Sequence, residues 1–319
     1  MANTASLSSL SVRKVAVIGV GIMGSGIALA CAKGGCDVSV WDVDPSAVKR
    51  ASTTIRSALN TLIDTNTISK KKADSSLKRI TPTSEMSRAV EDAQLVFEAV
   101  PEILSLKRRI LKELGSLCRS AILASNTSTF KISALTSATR RPSQVIGTHW
   151  MNPPYILPLV EVIPSAKTST KTTNSIRCFL QSIGKRPVMC KDTPGFIVNR
   201  IHSALLVEAV AIVEKGIASV EDVDMVWTQH LGPRYCVVGP LALMDSFGLD
   251  TEHSQYSYLQ KMTRENKFKP PKLLTTKVRK KQLGLKTGRG FYNYTGKNIS
   301  SITRERDKKF IELLRYLGI

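Results

Sequence analysis

The chain offers few groups able to move a proton near neutral pH: its four histidines are His149, His202, His230 and His253. His149 has the best address. It follows an apolar run, Val145 to Thr148, that reads as a strand, and open α/β sheets place their ligands at the C-terminal ends of strands. Glu161 stands in the next such run, Leu159 to Ile163, where an unpaired carboxylate would be costly, so a partner is implied. If the two strands are neighbours, the carboxylate could hold the imidazole tautomer and stabilise the imidazolium formed when His149 takes a proton. On spacing alone, a buried structural His–Glu pair fits equally well.

A second constellation is Gly19-Val20-Gly21-Ile22-Met23-Gly24, which directly follows an expected strand and opens an expected helix. In that setting Gly19 allows the tight turn, Gly21 lets the backbone approach a pyrophosphate, and Gly24 lets the helix pack closely, with the helix N-terminus facing the phosphates. Asp42 ends the second expected strand, where a carboxylate accepts hydrogen bonds from an adenosine ribose. This favours NAD over NADP, because a 2′-phosphate would meet Asp42 and Asp44 with no arginine in that short turn. The competing reading is a tight turn that binds nothing.

These groups need a scaffold, and the first half supplies one. Val15 to Ile18, Val38 to Trp41, Leu95 to Ala99, Ala121 to Ala124, Val145 to Thr148 and Leu159 to Ile163 read as strands. Ile22 to Lys33, Pro45 to Leu62, Lys107 to Leu117 and Thr168 to Ile183 have helical periodicity, and Ser69 to Leu77 adds a lysine-rich excursion. That alternation predicts an α/β fold with a parallel sheet joined by crossovers. Beyond Val188 the strand signal almost vanishes, and Ile197 to Glu214, Val220 to His230 and Pro240 to Met262 read as helices. The tail from Ser301 places Phe310, Leu313, Leu314 and Leu317 on one face, as a docked helix would. The expectation is a Rossmann-type nucleotide-binding domain over 1–191 and a smaller all-α domain over 192–319.

The 319 residues suffice for two domains, and a composition of 42% hydrophobic and 22% charged residues is that of a globular protein. The six cysteines lack C-x-x-C spacing, which argues against a disulfide framework or zinc site and suits a reducing, cytoplasmic setting. The stretch Met1 to Lys14 is Ser-rich and free of acids, as in transit peptides, but Arg13 and Lys14 are its only basic residues, so import is not the favoured reading. Val15 to Ala32 is broken by glycines and reads as strand, turn and helix rather than a membrane span. A net charge of +21 would draw in anionic ligands, although a generally basic surface with no specific partner explains it as well. Nucleic acid is not expected, because the basic residues are dispersed and aromatics make up only 6%.

Four further motifs come in order: Ser125-Asn126-Thr127-Ser128, His149-x-x-Asn152-Pro153, Leu159-Val160-Glu161-Val162, and Lys191-Asp192-Thr193-Pro194-Gly195-Phe196-Ile197-Val198-Asn199-Arg200. With the glycine motif, they make the chain resemble the 3-hydroxyacyl-CoA dehydrogenase family along nearly its whole length. The resemblance implies NAD as cofactor, His149 as catalytic base, Glu161 as its orienting carboxylate, Ser128 and Asn199 around the reacting oxygen, and Asn152 beside nicotinamide and substrate. It also implies Glu102, Lys107 and Lys286 at the cofactor, and a homodimer. Taken by themselves, Lys107 and Lys286 read as solvated lysines. The implied reaction is oxidation of the 3-hydroxyl of a short-chain L-3-hydroxyacyl-CoA.

Two segments depart from that pattern. Asn152-Pro153-Pro154-Tyr155 and Leu231-Gly232-Pro233-Arg234-Tyr235 are closer to the lambda-crystallin branch, which includes L-gulonate 3-dehydrogenase. There Arg234 could clamp a free carboxylate, as a 3-hydroxy acid such as L-gulonate or carnitine would require, or make a structural contact. Gly248-Leu249-Asp250 and Lys286 to Tyr292 resemble the acyl-CoA members instead, and Ser69-Lys70-Lys71-Lys72 stands where that family approaches the CoA phosphates, if it is more than a solvated face. A structural, crystallin-like NAD-binding protein is the alternative outside enzymology.

Overall fold

A computed structural model describes residues 12–118 and 120–319. The expectation for the Ser-rich leader falls on residues 1–11, outside them. The chain forms two compact units, Met1–Leu205 and Leu206–Ile319. Asp192 to Leu205 therefore group with the first unit.

The first unit carries strands β1 (Lys14–Ile18), β2 (Asp37–Trp41), β3 (Ile80–Pro82), β4 (Leu95–Glu98), β5 (Ile122–Ser125), β6 (Val145–Trp150), β7 (Leu159–Ile163) and β8 (Arg186–Met189). They form one eight-stranded sheet in the order β3-β2-β1-β4-β5-β6-β7-β8. The order reverses between β1 and β4, the switch point of a Rossmann sheet. Helices α1 (Ile22–Lys33), α2 (Pro45–Asp64), α3 (Lys70–Lys78), α4 (Met86–Val90), α5 (Leu104–Leu117), α6 (Ile132–Thr136) and α7 (Thr170–Ser182) cover its faces.

Alternation along β1 divides the core. Val15 and Val17 pack with Ile27, Ala28, Ile176 and Phe179 of α1 and α7, while Ala16 and Ile18 pack with Ile110, Leu111 and Leu114 of α5. Both sheet faces are buried, which is why the strands read as continuous apolar runs. Helix α1 is buried from Gly24 to Ala32, as an almost uncharged helix must be.

Three differences from the sequence reading have physical causes. Strands β6 and β7 pair antiparallel; the segment between them, Met151 to Pro158, is too short for a parallel crossover, which needs about a dozen residues or more. The edge strands β3 and β8 were not anticipated because Pro82 and Pro187 dilute their signal, and proline in a sheet is tolerated chiefly at its edges. The helix expected from Pro240 to Met262 is broken at Gly248, whose φ of +100° few other residues adopt.

From Val198 the chain is helical: α8 (Val198–Glu214), α9 (Val220–Val226), α10 (Gly232–Val237), α11 (Pro240–Phe247), α12 (Leu249–Thr263), α13 (Lys272–Arg279) and α14 (Ile299–Leu317), with a π-turn at Trp227–Leu231. Within the second unit α14 packs against α10; Phe310, Leu313 and Leu314 are partly buried, while Leu317 remains exposed. Buried Asp245 accepts the N–H groups of Phe291 and Tyr292 and the Tyr294 hydroxyl, anchoring the loop before α14. No described helix is long and apolar enough to cross a membrane.

Candidate active site

The glycine turn has the expected geometry, with one refinement. Gly19 has φ +91°, a conformation other residues rarely adopt, and a Cβ there would meet the Ala99 carbonyl carbon at 2.8 Å. A Cβ on Gly24 would lie 1.8 Å from the Gly19 carbonyl oxygen, so the third glycine protects the turn itself. A Cβ on Gly21 would meet nothing within 4 Å, leaving that backbone open to a ligand. No side chain caps α1, so the first-turn N–H groups around Ile22 and Met23 are free to receive a phosphate.

Asp42 accepts the Val20 N–H at 2.8 Å on one oxygen and the Asp44 N–H at 3.0 Å on the other. Each oxygen keeps a lone pair for a ribose hydroxyl. An arginine does reach this turn: Arg50, one helical turn inside α2, folds back to Asp44 at 2.9 Å. It is neutralised there, and hydrogen bonds from Ser46 and Arg50 pull the Asp44 carboxyl down to about 2. The donors and carboxylates of this cradle fit NAD.

Next along the sheet lies a buried network that sequence reasoning reached only in part. Glu98, at the end of β4, is fully buried; it accepts the Val100 N–H at 2.9 Å, the Ser125 hydroxyl at 2.5 Å and the Lys107 ammonium at 2.8 Å. Lys107 is only 1% exposed, and also donates to the Val100 carbonyl at 3.0 Å and stands 3.3 Å from Glu102. It is no solvated lysine. Glu102 in turn accepts the Thr127 hydroxyl at 2.6 Å and the N–H groups of Ser128 and Thr129 at 3.0 and 3.1 Å. Burial works against the charge on Glu102, but Thr127, Lys107 and those N–H groups outweigh it and hold the carboxyl below its ordinary value. A lone acid at the end of the apolar run Leu95-Val96-Phe97 was the signal for Glu98.

The hairpin β6–β7 sets His149 directly opposite Glu161. Their side chains meet at 2.7 Å, His149 Nδ1 to Glu161 Oε2. The other carboxylate oxygen accepts the Ile197 and Val198 N–H groups at 2.8 and 3.0 Å. Burial disfavours the Glu161 charge, yet His149 and these two N–H groups prevail and keep the carboxyl below its ordinary value. His149 Nε2 has no hydrogen-bond partner among the described residues, and the ring is 8% exposed. Phe196, beside the imidazole at 5.9 Å, has φ +49°. For a buried aromatic residue that conformation costs about 1–3 kcal/mol, offset by the anchoring of the next two N–H groups on Glu161.

Asn199 opens α8 and donates its side-chain amide to the Ser128 carbonyl at 2.7 Å, which joins the segment after β5 to the start of α8. Asn126 Oδ1 accepts the Trp150 N–H at 3.0 Å and fixes the end of β6. Asn152 is exposed in the loop that follows. The first unit thus gathers the glycine turn, Asp42, Glu102, Lys107, Ser128, His149, Asn152, Glu161 and Asn199 along the C-terminal edge of the parallel strands.

Three further candidates are Lys70, Arg234 and Lys286. Lys70 is exposed on the first turn of α3, whose Ser69 cap accepts the Lys72 N–H. Arg234 lies in α10 of the second unit with its guanidinium 5.4 Å from the centre of the Phe247 ring and no carboxylate partner among the described residues. Lys286, in the same unit, donates to Asp250 at 3.0 Å and Thr251 at 3.3 Å.

Comparison with known proteins gives the family. Residues 14–193 match the family model of the 3-hydroxyacyl-CoA dehydrogenase NAD-binding domain, and residues 195–294 match that of its C-terminal domain. The chain is similar to the 5-formyl-3-hydroxy-2-methylpyridine 4-carboxylate 5-dehydrogenase of Mesorhizobium japonicum, with 37% identity over 308 residues, 96% of this chain and 98% of that one. It is 36% identical over 297 residues to the mitochondrial hydroxyacyl-coenzyme A dehydrogenase of Sus scrofa, covering 91% of this chain and 94% of the relative. The crystal structure of a 3-hydroxyacyl-CoA dehydrogenase from Archaeoglobus fulgidus superposes with a TM-score of 0.80 at 37% identity, over 96% of this chain and 99% of that one.

Proposed function

This chain belongs to the 3-hydroxyacyl-CoA dehydrogenase family, and on that premise we propose that it oxidises the 3-hydroxyl of a short-chain L-3-hydroxyacyl-CoA to the 3-ketone, reversibly. It is an NAD-dependent oxidoreductase. When bound, NAD supplies the acceptor for the two electrons that leave C3. The carrying observation is His149: a buried imidazole with Nδ1 tied to Glu161 and Nε2 left free.

In this reading Nε2 takes the 3-hydroxyl proton. The Nδ1–H donated to Glu161 keeps the free lone pair on Nε2, and the carboxylate stabilises the imidazolium that results. Because the Ile197 and Val198 N–H groups fix Glu161 from the other side, the pair is oriented before substrate arrives. Ser128 and Asn199 would bound the place of the reacting oxygen, and Asn152 would contact the nicotinamide. Lys70 and its lysine neighbours at the start of α3 offer charge to a CoA phosphate.

Steady-state reduction of acetoacetyl-CoA by NADH, set beside oxidation of L-gulonate and L-carnitine by NAD, tests the substrate. Turnover of a free acid with none of the CoA ester would overturn it. Two observations favour that second reading: a relative 37% identical is named for a pyridine carboxylate, and Arg234 has no carboxylate partner among the described residues. NADH binding without turnover of any 3-hydroxy compound would point instead to a structural role. A homodimer is supported by the exposed Val207 and Val210 of α8 and Met225 and Val226 of α9; light scattering of the eluted protein at monomer mass would remove it.

A further inference from the structure

Lys185 lies between α7 and β8, is 8% exposed, and is not used by the chemistry above. Its ammonium donates to the carbonyl oxygens of Pro154 at 2.5 Å and Leu157 at 2.8 Å and stands 5.5 Å from the centre of the Trp150 ring. No carboxylate pairs with it among the described residues. Both acceptors belong to the loop from Met151 to Pro158, which joins the His149 strand to the Glu161 strand. Other groups hold the same loop: the Arg186 N–H donates to Pro158 at 2.8 Å, and the Lys33 ammonium to Tyr155 at 3.1 Å. Gly26 leaves room for Pro154, whose Cδ lies 2.6 Å from where a Cβ would stand. A buried ammonium without a counter-charge is costly, and an apolar residue would avoid that cost. What the charge contributes is a set of donors for carbonyls that the loop cannot satisfy itself.

We propose that Lys185 is a positioning residue for the dehydrogenase reaction: its ammonium fixes the Met151–Pro158 loop from behind, and through it Asn152 and the His149 end of β6. It touches neither substrate nor cofactor. The proposal rests on His149 being the base. Burial, then repulsion from Lys33, bring the Lys185 ammonium down to about 8, with Cys31 opposing. Lys33 is itself lowered by burial and by Lys72, and burial pushes the Cys31 thiol well up, so it stays neutral. Tyr155 is the remaining titratable group in the loop. The proton the clamp needs therefore leaves at mildly alkaline pH, where the loop loosens.

The test compares the full chain with Lys185→Met and Lys185→Arg. With acetoacetyl-CoA and NADH, Lys185→Met should lower kcat/KM by about 100-fold, the size of a small misplacement of reacting groups. The alkaline limb of the wild-type profile near pH 8 should move out of range in Lys185→Arg, whose charge does not titrate there. Tryptophan emission should step over the same pH interval in the wild type and in neither variant, because Trp150 lies against the ammonium. Wild-type kcat/KM in Lys185→Met, an unchanged alkaline limb in Lys185→Arg, or failure of both variants to fold would each overturn the proposal. If the wild type does not turn over acetoacetyl-CoA, the substrate reading fails by itself, and the emission titration, which needs no turnover, decides the clamp.

Discussion

Two carboxylates are fully buried at the same edge of the sheet, Glu98 on β4 and Glu161 on β7, and each accepts hydrogen bonds from several donors. Their cationic partners differ. Lys107 donates to Glu98 and the Val100 carbonyl and pairs with Glu102, so the cluster is closed. His149 gives one nitrogen to Glu161 and keeps the other free. Burying an ion pair is by itself neither stabilising nor catalytic. Chemistry requires that one member of the pair stay open to a ligand, and here only the imidazole does.

That contrast is best broken by exchanging the two roles, and the largest effect belongs to the open pair. His149→Ala should lower kcat by about a thousandfold or more, with cooperative unfolding and NADH affinity kept; a variant within tenfold of wild type would place the base elsewhere. For the closed pair the loss appears in stability instead. Lys107→Met strands Glu98 in the core and should cost about 3–5 kcal/mol in urea unfolding, most of it recovered in Lys107→Met with Glu98→Leu. If the double variant is no better than the single, Lys107 acts through something other than Glu98.

Glu161→Gln should fall between them, with kcat lowered by about 10- to 100-fold, because the amide still accepts the Ile197 and Val198 N–H groups but no longer compensates an imidazolium. It also has a pH signature. The Glu161 carboxyl lies below its ordinary value, so its stabilisation is complete above the unfolded-state value of about 4.3 and is lost as pH falls through the folded-state value. The stability gap between wild type and Glu161→Gln should therefore close on acidification from pH 5 to 3. The smallest effect is at the glycine turn. Gly21→Ala should fold normally and bind NADH about tenfold more weakly, a change near 1.4 kcal/mol, whereas Gly24→Ala should not form the turn, because its Cβ meets the Gly19 carbonyl.

Much of this was legible in the chain. Gly19, Gly21 and Gly24 announce their backbone requirements by type, and Asp42 follows from the length of one β-α-β unit. The apolar runs of β1, β2, β4 and β7 gave strands within a residue or two of those observed. Other features were hidden for definite reasons. The strands β3 and β8 are short, carry proline and lie at the sheet edges, so little periodicity marks them. Arg50 was missed, because sequence distance conceals what a helical turn brings back. Lys185 and Lys107 are the same residue type as the many lysines that give the chain its charge of +21, and only burial distinguishes them.

Sequence alone determined what is local: the cofactor turn, the helix starts and the β-α alternation, because each follows from residue type and short-range spacing. The antiparallel hairpin that sets His149 against Glu161 belongs to the tertiary structure. Tertiary structure decided which groups remain free to act. Asn199 reaches Ser128 across 71 residues, and Glu161 reaches the Ile197 N–H across 36. A side chain's type states what it can donate or accept, but the contacts that desolvate it and occupy its lone pairs come from remote parts of the chain, and those contacts leave Nε2 of His149 open while closing Lys107.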